Sequence, residues 1–418
     1  MKIIVAHEGK QHSFRTAEAL LQKGYLFKYI TTIYDKPHSL TRMVKWLLRG
    51  DAKKKCASHR TETLPDDMVV QYCEGIGLLR LFLSKIPFLY KYFPHYYDWL
   101  HDSFGKKVAE FAIKNNVDAV IMYDTNANEC WKILKERAPQ IKRIQDVSIA
   151  NRLFMKENFI KDMEQTHDAS IKEEQIYLWN ENNCKRFLEE INDSQYFLIA
   201  SNVVKRSMMF SGVKEEQMFM APYGVDCSKF NFVQKQPLKL PLKLVYVGQV
   251  TYRKGIHHLL KVMDRFSEND VELYLAGGYS ETTPFVQEYK NRRNIHFLGF
   301  VTRDVLASLY QKSDVFVFPT LGEGYGMVIL EALSCGVPCI VSDLAGGDDA
   351  IIEGYNGFKF KAGDDDDLYN KILWFMNHPE ILPEMSLNSR KSVENQTWQS
   401  YYDCVVKAVE AIMNVNKK

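Results

Sequence analysis

Apolar residues fall along this chain in short unbroken blocks that alternate with stretches of helical spacing. Residues 2–6 form such a block and predict a buried strand, with a helical pattern over 13–23 after it. Blocks at 117–122 and 143–147 predict two more strands, with a helix over 128–137 between them. A strand over 196–200 and a helix over 203–210 follow. Buried strands alternating with helices predict a parallel sheet covered on both faces. The pattern breaks over 227–242, where Lys229, Lys235, Lys239, Pro237 and Pro241 mark a linker. It then restarts with strands at 243–247, 272–276, 294–298, 315–319 and 338–342, and helices at 255–266, 303–311 and 326–334. The expected fold class is therefore α/β, with two Rossmann-like domains over residues 1–230 and 238–398. A last helix over about 399–413 can pack on either domain.

A length of 418 residues suits two cores better than one. The first apolar block is too short for a secretory leader, and no window approaches the ~20 apolar residues of a membrane span. The eight cysteines show no CxxC or metal-finger spacing, which predicts reduced thiols and a cytoplasmic protein. Charge changes the picture in one place. The net +2 conceals 16 Lys/Arg against 9 Asp/Glu in residues 1–100. Much of the excess lies in 42–55 and 78–100, where basic residues mix with Trp46, Phe82, Phe88, Tyr90, Tyr92 and Trp99. Such stretches suit helices with an aromatic core face, or contact with an anionic membrane surface at the inner face of the cell membrane. Nucleic acid is not an expected partner.

The segment richest in chemistry is Pro319-Thr320-Leu321-Gly322-Glu323-Gly324-Tyr325-Gly326-Met327-Val328-Ile329-Leu330-Glu331-Ala332. A strand ends, a glycine-rich turn follows and a helix begins near Gly326. Unpaired amides at a helix start can cradle a phosphate. Gly324 and Gly326 leave room for the backbone to approach a ligand. Glu331 sits in a very apolar helix, where an unpartnered carboxylate is costly. A ribose diol is its natural partner, with Glu323 near a hexose. Arg253 and Lys254, in the loop after the 243–247 strand, are the candidate cations for a diphosphate. That loop lies at the carboxyl edge of the sheet, where ligands bind in this architecture.

These residues resemble the retaining glycosyltransferases of the two-Rossmann-domain (GT-B) fold, family four, also described as glycosyl transferases group 1. The resemblance rests on the two glutamates eight apart, on Ala332-Leu333-Ser334-Cys335-Gly336-Val337-Pro338, and on Gly346-Gly347 and Glu353-Gly354-Tyr355-Asn356-Gly357-Phe358. Upstream it includes Pro222-Tyr223-Gly224-Val225-Asp226, the Gly248 to Gly255 loop and Phe297-Leu298-Gly299-Phe300-Val301. It implies that Arg253 and Lys254 neutralise the donor diphosphate and that amides at Met327 and Val328 meet its distal phosphate. Glu331 would hold the ribose, Glu323 the donor sugar, and the loop at Val301 the base. Gly248, Gln249, Gly324, Tyr325 and Gly326 complete the expected donor side. Gln249 departs from the pattern, since many members carry Arg there. The resemblance also implies that the last helix, within 399–418, crosses back to the first domain. A UDP- or GDP-linked sugar is the expected donor, and the basic, aromatic surface near 78–100 would suit a glycan or lipid-linked acceptor in cell-surface polysaccharide synthesis. No cofactor and no metal are expected.

The first domain would supply the acceptor side, through Gly9, Lys10, Gln11 and His12 after the first strand. Related enzymes often carry a histidine after a later strand, where this chain reads Gln145-Asp146-Val147-Ser148-Ile149-Ala150-Asn151. Asp146 or Asn151 would then have to serve, with Asp146 as a base or a loop cap. Asp364–Asp367 read as solvated acids, and His257 and His258 as packing or surface residues. Two other functions fit the same pattern: a nucleotide-sugar epimerase or hydrolase that needs no acceptor, and a binding protein with weak or lost catalysis.

Overall fold

Strand β1 (Ile3–Ala6) is wholly buried, as an unbroken apolar run covered on both faces must be. In the computed structural model, which describes residues 1–9, 12–50, 53, 56, 59–83 and 96–415, β1 lies at the centre of a seven-stranded sheet. The other strands are β2 (Leu26–Thr31), β3 (Val69–Gln71), β4 (Ala119–Tyr123), β5 (Lys142–Val147), β6 (Tyr196–Ile199) and β7 (Met218–Met220). Their spatial order is β3-β2-β1-β4-β5-β6-β7, and every pairing is parallel. The strand order reverses between β1 and β4, so the loops leaving those strands flank a crevice.

The second sheet repeats the plan. Strands β8 (Leu242–Val247), β9 (Val271–Ala276), β10 (Ile295–Gly299), β11 (Val315–Phe318), β12 (Cys339–Ser342) and β13 (Gly357–Phe360) stand in the order β10-β9-β8-β11-β12-β13, again all parallel. Its crevice opens between the loops after β8 and β11. Helices Ile256–Met263 and Met327–Ser334 start from those loops. Gly255, at φ +69°, lets the first of them turn, since a Cβ there would lie 1.9 Å from the Pro319 carbonyl oxygen. This is the two-domain α/β architecture that the sequence predicts.

The last helix, Trp398–Asn414, returns to the first domain and packs on helix Ser13–Gln22. Its apolar face carries Tyr401, Val405, Val409 and Ile412, each under 2% exposed. Polar contacts fix the register: Arg15 donates to the Tyr402 hydroxyl (2.8 Å), and Tyr25 to Glu410 (2.8 Å). The outgoing and returning chain segments touch, since the Val225 amide donates to the Gln396 carbonyl (2.8 Å).

The basic, aromatic stretches divide. In helix Tyr96–Lys114, Leu100 is buried, as are Phe104 and Val108 beyond the stretch, but Trp99, expected on a core face by the packing reading, is 54% exposed. Helix Leu40–Leu47 instead turns Leu40, Met43 and Trp46 outward, with Trp46 82% exposed. Its Arg42 and Lys45 both pair with the buried carboxylate of Asp35. Residues 51, 52, 54, 55 and 84–95 of those stretches lie outside the described residues.

A Cβ at Gly224 would sit 2.2 Å from the Thr397 carbonyl. Gly224→Ala should therefore force the returning segment off its seat and lower stability by roughly 1–3 kcal/mol. Denaturant unfolding checks this, and faster amide exchange in Trp398–Asn414 should accompany it.

Candidate active site

The loops after β8 and β11 are bound to each other before any ligand is considered. The Arg253 carbonyl accepts from the Leu321 amide (2.9 Å), and the Arg253 guanidinium donates to the Gly322 carbonyl (2.9 Å). Lys254 reaches across to the Glu323 carboxylate in a close ion pair, and Arg253 stands 3.7 Å from the same oxygen. The Lys254 ammonium also lies over the Phe318 ring, 5.0 Å from its centroid. Burial depresses the Lys254 pKa, and the Glu323 charge opposes that. Burial would raise Glu323, but the Lys254 and Arg253 charges outweigh it and hold the carboxyl below its ordinary value. The four groups expected to handle a diphosphate and its sugar thus include three already gathered at one switch point.

Glu331 is the fourth, one and a half turns into helix Met327–Ser334. Burial lifts its pKa to about 7, against the pull of the Arg303 charge and of a Tyr310 hydrogen bond. Of the two helix-end amides expected to meet phosphate, that of Met327 already donates to the Tyr325 carbonyl (2.8 Å). That of Val328 has no backbone acceptor among the described residues. Gly248, at φ +145°, ends β8, and its amide donates to the Ala276 carbonyl (2.9 Å). Gln249 is exposed, and its carbonyl accepts from the Tyr246 hydroxyl (2.7 Å). Val301 is half-buried in the loop after Gly299, which takes φ +65°.

The two glycines of the turn have a different use from the one expected. A Cβ on Gly324 would lie 2.1 Å from the Ser148 carbonyl oxygen of the first domain. One on Gly326 would lie 2.9 Å from the Ala345 carbonyl oxygen. Their missing side chains admit protein backbone, and at Gly324 it is the other domain that enters. The Ser201 hydroxyl donates to the Gly324 carbonyl (2.7 Å), which adds a second tie across the cleft.

On the acceptor side, Asp146 is 3% exposed and enclosed. One of its oxygens meets His12 Nε2 at 3.2 Å, and the other accepts from the Thr16 hydroxyl (3.3 Å). Tyr123 and Tyr401 each share a hydrogen bond with Thr16 (2.7 and 2.8 Å). The Tyr223 hydroxyl shares one with His12 (2.8 Å), and the Tyr325 hydroxyl donates to the Tyr223 carbonyl (3.2 Å). A histidine does therefore stand beside Asp146, brought by the loop after β1 rather than by the strand that carries Asp146. This geometry orients His12 and leaves Asp146 no open face for an acceptor.

Asn151 is also a correction. It is the N-cap of helix Arg152–Thr166 and accepts from the Leu153 and Phe154 amides (2.9 and 3.3 Å), so its side chain is committed to the backbone. Gly9 brackets the His7 ring, which contacts the Gly9 amide and carbonyl at 2.9 and 2.8 Å. Lys10 and Gln11 lie outside the described residues. The acidic run is not uniformly solvated: Asp364 caps a helix through the Asp367 amide (2.9 Å), and Asp365 meets His258 at 2.7 Å. His258 is 2% exposed and clamped between Asp365 and Asp162.

Sequence reasoning missed Glu174. This first-domain carboxylate accepts from the amides of Tyr252 and Arg253 (2.7 and 3.1 Å). It grips the cationic loop from across the cleft, and nothing in its sequence neighbourhood marks it.

Residues 228–392 match the model of the family described as glycosyl transferases group 1. The chain is 28% identical over 229 residues to the sulfoquinovosyl transferase SQD2 of Arabidopsis thaliana, which covers 51% of this chain and 44% of that protein. It is 31% identical over 228 residues to the capsular polysaccharide biosynthesis glycosyltransferase CapM of Staphylococcus aureus, covering 51% and 58%. The chain spans about half the length of the curated relatives it matches. Over its full length, the fold is similar to the sucrose-phosphate synthase of Thermosynechococcus elongatus, with a TM-score of 0.66 at 17% identity and all of both chains covered. Two parallel sheets thus run through the chain, and the second of them lies in the segment, residues 228–392, that is similar to the glycosyl transferases group 1.

Proposed function

We propose that this protein moves a sugar from a UDP- or GDP-linked donor to a hydroxyl of a glycan or lipid-linked acceptor, with retention at the anomeric carbon. The observation that carries the reading is the meeting of Lys254, Arg253 and Glu323 at the β8/β11 switch point, with Glu331 on the helix that starts there. The diphosphate takes Lys254 and Arg253 as counter-charges, and the Val328 amide adds a donor at the helix end. Glu331 holds the ribose diol, and Glu323 turns to the sugar as Lys254 leaves it. The C1–oxygen bond to the diphosphate breaks, and C1 bonds to the acceptor oxygen. Charge aimed at the departing diphosphate supplies the main stabilisation, without a metal. His12, oriented by Asp146, faces the acceptor side, and closure of the domains limits hydrolysis.

The acceptor reading draws support from the first domain. Leu40, Met43 and Trp46 project from one short helix whose Arg42 and Lys45 share the single carboxylate of Asp35, so one positive charge is left over. No helix among the described residues is long and apolar enough to cross a membrane. A surface of this kind suits contact with an anionic bilayer, and a cytoplasmic protein seated there would meet lipid-linked acceptors of cell-surface polysaccharide.

Lys254→Ala should lower turnover with a matched donor roughly 10²–10³-fold, read in a transfer assay; near-normal turnover and donor affinity would exclude the role. A donor-only control separates transfer from epimerisation or hydrolysis, since transfer requires acceptor.

The Glu331 pKa of about 7 gives a sign to the pH dependence. A raised carboxyl pKa favours the neutral form, so this group's contribution to stability is full below its unfolded value and is lost as pH rises through about 7. Diol hydroxyls donate to the ionised form, so nucleotide-sugar affinity should rise about tenfold from pH 6 to 8. Calorimetry with the intact sugar diphosphate, whose phosphates do not titrate there, checks this. Glu331→Gln should bind weakly and flatten the profile.

Flotation with anionic liposomes at low salt should carry the protein upward, and Trp46→Ala should reduce it. A wild-type protein that stays in solution contradicts the membrane contact.

A further inference from the structure

Away from the cleft, four titratable side chains from the two domains converge. Asp162, on helix Arg152–Thr166, is 5% exposed and faces two consecutive histidines of helix Ile256–Met263. Its Oδ1 lies 2.6 Å from His258 Nε2, and its Oδ2 lies 3.4 Å from His257 Nε2. The ligand atoms of Asp162, His257 and His258 all fall within 4.8 Å of one another. Asp365 receives the second ring nitrogen of His258 at 2.7 Å and is itself held by Lys261 at 2.7 Å.

We propose that Asp162, His257 and His258 form a binding site for a zinc-class divalent cation that staples the two domains together. Three features of the cluster point to it. Neither ring nitrogen of His257 makes a hydrogen bond, although its side chain is only 13% exposed. Nε2 stands 3.4 Å from the Asp162 carboxylate without an aligned hydrogen bond, and Nδ1 has no partner, so the ring keeps a lone pair for an ion. The Asp365–His258 contact is the carboxylate–histidine arrangement that fixes the tautomer of a metal-binding imidazole and presents Nε2 to the ion.

Distances fit as well. Bonds of about 2.0–2.2 Å to zinc set tetrahedral ligand atoms roughly 3.3–3.5 Å apart. The His257–Asp162 separation of 3.4 Å already matches. The shorter His258–Asp162 contact is a hydrogen bond whose proton the cation displaces, so binding opens it by under an ångström and releases that proton. A cavity of about 460 Å³, lined by Asp162, Gln165, Lys361 and Gly363, adjoins the cluster on its Asp162 side. Imidazole and carboxylate donors suit zinc and its neighbours better than calcium or magnesium.

The consequence is mechanical. Asp162 belongs to the first domain and both histidines to the second, and Tyr252 packs on His257 with ring centroids 5.0 Å apart. A bound cation would hold the Arg253–Lys254 loop and the domain seam in the closed arrangement.

The test uses the full chain, freed of metal with a chelator and titrated with Zn²⁺ or Co²⁺ in the absence of any nucleotide, so its result is independent of the proposed activity. One equivalent of Co²⁺ should bind with a tetrahedral visible spectrum, no thiolate charge-transfer band and release of protons. Asp365→Asn should weaken binding about 10–100-fold. His257→Ala should abolish it, as should His257→Phe, which keeps a ring against Tyr252 and so separates loss of the ligand from loss of packing. Metal should also slow amide exchange in Arg152–Thr166. Absence of saturable binding, binding that survives His257→Ala, or a thiolate-type spectrum would overturn the site. Binding without slower exchange would overturn the staple.

Discussion

A cation buried at the root of the second domain's crevice must have an anion, and the arrangement of the site follows from that need. Lys254 is 9% exposed and sits against the Phe318 ring, a setting that penalises its charge unless a partner stands close. Glu323, delivered by the neighbouring switch-point loop, is that partner. The pairing ties the β8 and β11 loops together and sets where the glycine-rich turn runs. Under the proposed function, donor binding becomes an exchange of anions: the diphosphate replaces a carboxylate, which is then free for sugar hydroxyls. The cationic loop would never be left bare.

The cleft's other wall shows the same economy with neutral groups. His12, Thr16, Tyr123, Tyr223 and Tyr401 surround Asp146, and Tyr325 continues the chain of contacts into the second domain. Residues from the first loop, the interdomain segment and the returning helix all contribute. The position of His12 therefore reports on the docking of helix Trp398–Asn414, far away in sequence.

Much of this was legible before any coordinates. The β8 and β11 strands, the two crevice loops and the Glu323/Glu331 spacing are local in sequence, and apolar runs closed by glycine mark them plainly. β2, with Lys28 and Thr31 in its run, and the three-residue strands β3 and β7 carry too little periodicity to read. The roles of Asn151, Gly324 and Glu174 were hidden for another reason. Each is decided by a partner on a different element: a helix start, the Ser148 carbonyl and the Tyr252 and Arg253 amides. His12 shows the limit most clearly. A search after the strand that carries Asp146 finds no histidine, because the ring arrives from β1, two strands away in the sheet.

The chain crosses between domains twice, and the two crossings are bonded through the Val225 amide and the Gln396 carbonyl. A single-strand tether can swivel about its own axis; two adjacent strands cannot. The pair behaves as a strap hinge, which bends about one line and resists twisting. Any movement of one domain against the other is thereby confined to bending about that line, which favours the Gly324–Ser148 approach over a twisted one. The register of the cleft is set by covalent connectivity before any ligand helps to align it.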